Sequence, residues 1–142
     1  MRRTMLVAAT LALCALPASL ALASPAAATT LVNYERSGGI AGIRTSLSVT
    51  ALGSARITSS RTQGITRFKL SAAELRGLKR DLRNARFSTL RSLYDSKEPV
   101  ADGISQTVSY ARKRVTVAMG GRPPERLRKV LTRLERLASR VP

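Results

Sequence analysis

The sequence contains no histidine, and its single cysteine, Cys14, lies inside an apolar N-terminal run. Chemistry that depends on histidine is therefore missing, and a thiol is present only in that run. Ser–His and Cys–His nucleophilic pairs are excluded. Zinc, copper and haem sites mostly need His or Cys ligands, so no metal and no other cofactor is expected. Two chemistries stay open on residue type. A pair of carboxylates can hydrolyse a glycosidic bond, but the eight acidic residues are scattered, and most fall at turns or helix starts. A serine activated by lysine is the other, with Lys69, Lys79, Lys97, Lys113 and Lys129 as the available bases. Nothing in the sequence places a buried lysine beside a serine. The residues read as those of a protein that is not an enzyme.

Binding chemistry is better represented. Gly38-Gly39-Ile40-Ala41-Gly42 holds one large apolar side chain on a backbone that glycine leaves free to adopt positive φ. It reads either as a wide turn between strands or as a contact loop presenting Ile40. The second feature is a regular basic stripe, Arg126, Lys129, Arg133, Arg136 and Arg140. Its simplest role is a solvated face. Its functional alternatives are contact with a polyanion through phosphates, or contact with a membrane surface. The segment has no Trp or Phe to anchor it in lipid. The formal net charge of +17, with 25 basic residues of which 20 are arginine, favours solubility and draws the chain weakly towards polyanions. An arginine- and alanine-rich composition also suggests a GC-rich bacterial genome.

These features need a scaffold, and the hydropathy pattern supplies one. Residues 31–37 alternate in part, and residues 43–50 alternate well, with Ile43, Thr45, Leu47 and Val49 on one face. Residues 55–60 and 65–70 read as two more strands, separated by the turn at Gln63-Gly64. Ser71-Ala72-Ala73-Glu74 fits a capping box, with Leu70 and Leu75 placed as a hydrophobic staple. Leu75, Leu78, Leu82 and Ala85 then mark a helix face, with Arg76, Lys79, Arg80 and Arg83 exposed. Residues 84–97 read as an irregular connection pinned into the core by Phe87, Leu90, Leu93 and Tyr94. Asp102-Gly103 is a turn signal. Residues 104–110 and 115–119 read as a hairpin, with Val115, Val117 and Met119 on one face. Its link, Ala111 to Arg114, lacks the Gly or Asn of a tight turn, which leaves the register open. Pro123-Pro124 opens a last helix, with proline at its first position, and with Leu127, Val130, Leu131, Leu134, Leu137, Ala138 and Val141 as its apolar stripe. The expectation is an α+β fold in the order ββββαββα. An antiparallel sheet of about six strands carries both helices on one face.

Residues 1–28 read as a cleaved secretory signal. Arg2 and Arg3 precede an apolar run, and small residues allow cutting after Ala23 or Ala28, the latter preferred. A retained anchor is the alternative for a run this long. Leu13 before Cys14 argues against a lipoprotein. Cleavage at Ala28 leaves one domain, residues 29–142, with 23 basic against 8 acidic residues, or +15, and no thiol. That length can bury a core without disulfides. The product is expected to be released into the extracellular space, with no stable membrane insertion.

The order of pieces is more specific than any one of them. It runs through Tyr34-Glu35-Arg36-Ser37-Gly38-Gly39-Ile40-Ala41-Gly42-Ile43, Phe68-Lys69-Leu70-Ser71-Ala72-Ala73-Glu74-Leu75, Pro99-Val100-Ala101-Asp102-Gly103 and Pro123-Pro124. This order resembles the emfourin family, small protein inhibitors of protealysin and other thermolysin-like metallopeptidases. The resemblance covers roughly residues 31–140 and implies a non-catalytic inhibitor that blocks the active-site cleft of a secreted zinc peptidase. By resemblance, the partner-binding residues are Ser37, Gly38, Gly39, Ile40, Ala41 and Gly42, and more loosely Asp102 and Gly103. The chain departs from the family in its strong basicity and in Gly120-Gly121-Arg122 before the last helix. The alternative reading is a basic extracellular protein binding polyanions or the cell envelope, with the stripe Arg126–Arg140 as its contact face.

Overall fold

The computed structural model describes residues 29–62, 64–96 and 102–140. The proposed signal, Gln63, residues 97–101 and Val141 lie outside the described residues. Four strands form a meander: β1 (Thr30–Gly38), β2 (Ile43–Thr50), β3 (Ser54–Ser59) and β4 (Ile65–Lys69). Helix α1 (Ala72–Asn84) follows, then a 3-10 turn at Phe87–Thr89 and a two-residue strand, β5 (Leu93–Tyr94). Strands β6 (Ser105–Tyr110) and β7 (Lys113–Ala118) pair as a hairpin, and α2 (Glu125–Ala138) closes the fold. The sheet order is β4-β3-β2-β1-β6-β7-β5, so β1 is central, and every pairing is antiparallel except β5 with β7. The fold is α+β, as expected, with seven strands in place of about six.

Strand alternation decides which face is covered. Val32, Tyr34, Leu47, Val49, Ala55, Ile57, Val108, Val115 and Val117 point inward and are buried. Leu78, Leu82 and Ala85 meet them from the α1 side, and Leu127, Val130, Leu131, Leu134, Leu137 and Ala138 from α2, in one cluster whose one polar atom from these strand residues is the Tyr34 hydroxyl. Gly77 is buried in α1 because the Arg133 guanidinium lies across it; a Cβ there would sit 2.9 Å from Arg133 Nη1.

The capping box forms as the sequence requires. The Glu74 N–H donates to Ser71 Oγ (3.2 Å), and the Ser71 N–H donates to Glu74 Oε2 (2.8 Å). Glu74 also pairs with Arg140 of α2. The Arg140 guanidinium, with the Ser71 N–H and hydroxyl, holds the Glu74 carboxyl down at about 2. A carboxyl with a lowered native pKa stabilises the fold above its unfolded value, and that contribution disappears as the pH falls from about 4.5 towards 2. Glu74→Gln should therefore lower the urea midpoint at pH 7, and the deficit should close by pH 2. A deficit of equal size at both pH values would show that the ionised carboxylate is not the source.

Five local expectations need correction. Leu93 is 53% exposed: successive strand residues face opposite sides, and Tyr94 takes the core side of β5. Met119 falls past the end of β7 and is exposed, so it does not continue the Val115–Val117 face. Pro124 is the N-cap of α2, and Glu125 is the first helical residue. Lys79 is half-buried, its Nζ donating to the Ala51 carbonyl at 2.9 Å.

The last correction is the β6–β7 link, which is a tight two-residue turn, with Tyr110 opposite Lys113. Ala111 (φ 47°) and Arg112 (φ 64°) both occupy the left-handed region. Non-glycine residues pay about 1–2 kcal/mol each there, and Asn-Gly is the preferred pair for such a turn. Ala111→Asn with Arg112→Gly should stabilise the protein by roughly 1–2 kcal/mol and raise the melting temperature by several degrees. An unchanged melting temperature would mean the turn is not strained.

Candidate functional site

Strands β1 and β2 hold the glycine loop between them, closing at the Gly38–Ile43 pair. Inside the loop the Gly42 N–H donates to the Gly39 carbonyl at 2.8 Å. Two sequence segments more than sixty residues apart meet here. The Gly39 N–H donates to the Asp102 carbonyl at 3.0 Å, and Ser37 Oγ lies 3.1 Å from Ser105 Oγ. Gly38 has φ +118°, and a Cβ on it would run into the Gly103 carbonyl and sit 3.0 Å from Ile104 Cα. Glycine is required at this point, because the Asp102-Gly103 backbone packs directly on it. Asp102 itself turns the chain at φ 59°. The loosely assigned pair Asp102 and Gly103 is therefore the seat of the loop.

The seat leaves the tip free. Ile40 is 97% exposed, the highest value among the exposed large apolar residues described, and Ala41 and Gly42 are exposed beside it. A Cβ on Gly39 would meet nothing within 4 Å, so open space flanks the isoleucine. A groove of about 470 Å³ runs beside the loop, lined by Arg36, Ile40, Ile43, Thr45, Arg61 and Ile104 among others. Arg36 pairs with Glu135 of α2 (3.3 Å), and Arg44 with Glu35 (3.1 Å). Arg61 lines the groove outside these ion pairs. The loop's polar groups are two serine hydroxyls bonded to each other and backbone amides used for internal closure. This arrangement can present an apolar side chain to a partner.

The basic stripe on α2 is less free than its spacing suggests. Arg133 Nε bonds Asp81 Oδ2 at 2.6 Å, Arg140 pairs with Glu74 and stacks over Phe68, and Arg126 donates to Thr89 Oγ1 at 3.0 Å. Lys129 and Arg136 are exposed and outside the described ion pairs. The stripe therefore ties α2 to α1 and to β4 in addition to facing solvent.

Sequence reasoning missed two features. Tyr34 buries its hydroxyl without a hydrogen-bond partner, and burial, reinforced by nearby Glu135, pushes the phenol up to about 12. Nothing in the alternation around Tyr34 distinguishes it from a phenylalanine. The other is the sheet face opposite the helices, whose alternating Ser, Thr, Asn and Arg residues were visible only as the polar half of each strand. Among the described residues no group of three or more His, Cys, Asp and Glu side chains is placed to hold a metal ion. No helix among them is long and apolar enough to cross a membrane. No protein-family model matches the chain, and no curated protein matches it in sequence.

Proposed function

We propose that this protein is a secreted, non-catalytic inhibitor of thermolysin-like zinc metallopeptidases, acting through the loop Ser37–Gly42. The observation that carries the reading is Ile40. A large apolar side chain that is 97% exposed on a seated, glycine-flanked loop keeps its whole apolar surface available for burial against a partner. The resemblance to the emfourin family supplies the partner, a peptidase whose cleft accepts a bulky apolar residue. The loop backbone lies along the substrate track, Ile40 fills the apolar pocket, and Asp102 and Gly103 hold the loop from behind. No cofactor takes part.

Polyanion binding through α2 is the weaker reading, because Arg126, Arg133 and Arg140 of its stripe already have partners within the fold. Titration of the purified protein against a thermolysin-like peptidase tests the proposal. Saturable inhibition that persists at moderate salt is expected. No inhibition of any such peptidase, or inhibition abolished by moderate salt, would overturn it, since attraction between charges is screened.

A further inference from the structure

We infer that the open face of the sheet is a docking surface for an extended phosphodiester-linked polyol, a polymer of spaced phosphates joined by hydroxylated units. Both helices cover the other face. Cross-strand pairing sets one outward row across six strands: Arg67, Arg56, Ser48, Asn33, Ser109 and Arg114. A depression of about 460 Å³ lies over this row from Arg56 to Arg114 and over part of its neighbour, with Arg67 just outside it.

Charge at the two ends of the row differs from charge in the middle. Arg56 sits directly opposite Arg67, both are exposed, and neither is in an ion pair among the described residues. Like charges directly opposite on a sheet destabilise it. A phosphate shared between the two guanidiniums removes that cost and matches their planar donor geometry. Arg114 stands four strand spacings away from Arg56, roughly 19 Å, with its Nε 3.4 Å from Ser109 Oγ. Between these ends the row holds only hydroxyls and an amide, which both donate and accept. The matching partner carries interrupted charge with hydroxyls between, unlike the continuous charge of polyphosphate. Among the described residues of this row and the neighbouring one, the single carboxylate is Glu35, paired with Arg44 at 3.1 Å. The paired residues of these two rows include no aromatic side chain, so bases have nothing to stack on.

The test is titration of the protein with poly(glycerol phosphate), linear polyphosphate and poly(dT), followed by calorimetry across a salt series. Poly(glycerol phosphate) should bind tightest. Arg56→Gln with Arg67→Gln should weaken it at least tenfold and reduce the slope of log affinity against log salt by about 2. The variant's melting temperature should not fall, because a like-charge pair has been removed. Arg76→Gln with Arg80→Gln on α1 removes the same charge and should change affinity less than twofold. Equal losses from both pairs would mean that net charge alone attracts the polymer. Tighter binding of poly(dT), or no binding of poly(glycerol phosphate), would likewise overturn the inference.

Discussion

Leu134→Asp should cost about 4 kcal/mol or more and leave much of the protein unfolded at 37 °C. Leu134 is fully buried near the middle of α2, in the cluster that joins both helices to the sheet. An aspartate there gives up the apolar contact and must ionise without a partner or take up a proton. Either outcome is paid by the native state alone, because the unfolded chain solvates the carboxylate freely. Domains of this size have about 5–15 kcal/mol in total, so the loss is a large fraction of the whole. Leu134→Met, which conserves volume, should cost under about 1.5 kcal/mol. Arg136→Asp, two residues away on the exposed side, should leave the melting temperature within a few degrees. Thermal unfolding by circular dichroism separates the three. Wild-type stability in Leu134→Asp would mean that α2 does not pack on the sheet.

What was legible in the sequence follows from how locally each feature is determined. The alternation from Ile43 to Thr50 fixed β2 to the residue, because one face is buried and the other is not. Ser71 and Glu74 fixed the start of α1, because a capping box needs only four residues. The heptad-like stripe of α2 fixed its buried face. By contrast, β5 is two residues long, and its pairing with β7 is tertiary, so no period marks it. The Ala111-Arg112 turn ran against local preference. The register of β6 on β1 and β7 holds both residues at positive φ where they would not go alone.

The site was legible in part for the same reason. A run of glycines around one isoleucine announced a loop with an unusual backbone. The sequence did not show that Asp102 and Gly103 form its seat, since that depends on β6 lying beside β1. Gly38 carried the only hint, because a doubled glycine at a strand end often marks close backbone approach. The α2 arginines misled in the opposite direction. Helical spacing showed that they share a face, but not that Asp81, Glu74 and Thr89 reach them from other elements.

Ile40→Ala should weaken inhibition by roughly one to two orders of magnitude, because burying one isoleucine is worth about 1.5–3 kcal/mol. Stability should not move, since Ile40 is 97% exposed and touches none of the core. A fall in affinity at constant melting temperature therefore reports the contact with the peptidase and nothing else. Gly38→Ala tests the seat in place of the tip. Its Cβ would strike the Gly103 carbonyl, and its φ of +118° is poorly tolerated by alanine. It should lower both stability and inhibition. Arg133, an obvious choice for a charge-reversal control, is unsuitable, because its pair with Asp81 fastens α2 to α1. Lys129→Glu with Arg136→Glu reverses two exposed charges of the stripe and should leave inhibition within about twofold at moderate salt. The peptidase should keep its zinc throughout, since the chain offers no histidine, and its one cysteine lies in the proposed signal. If Lys129→Glu with Arg136→Glu abolished inhibition while Ile40→Ala retained it, the basic face would be the contact surface and the loop a simple turn.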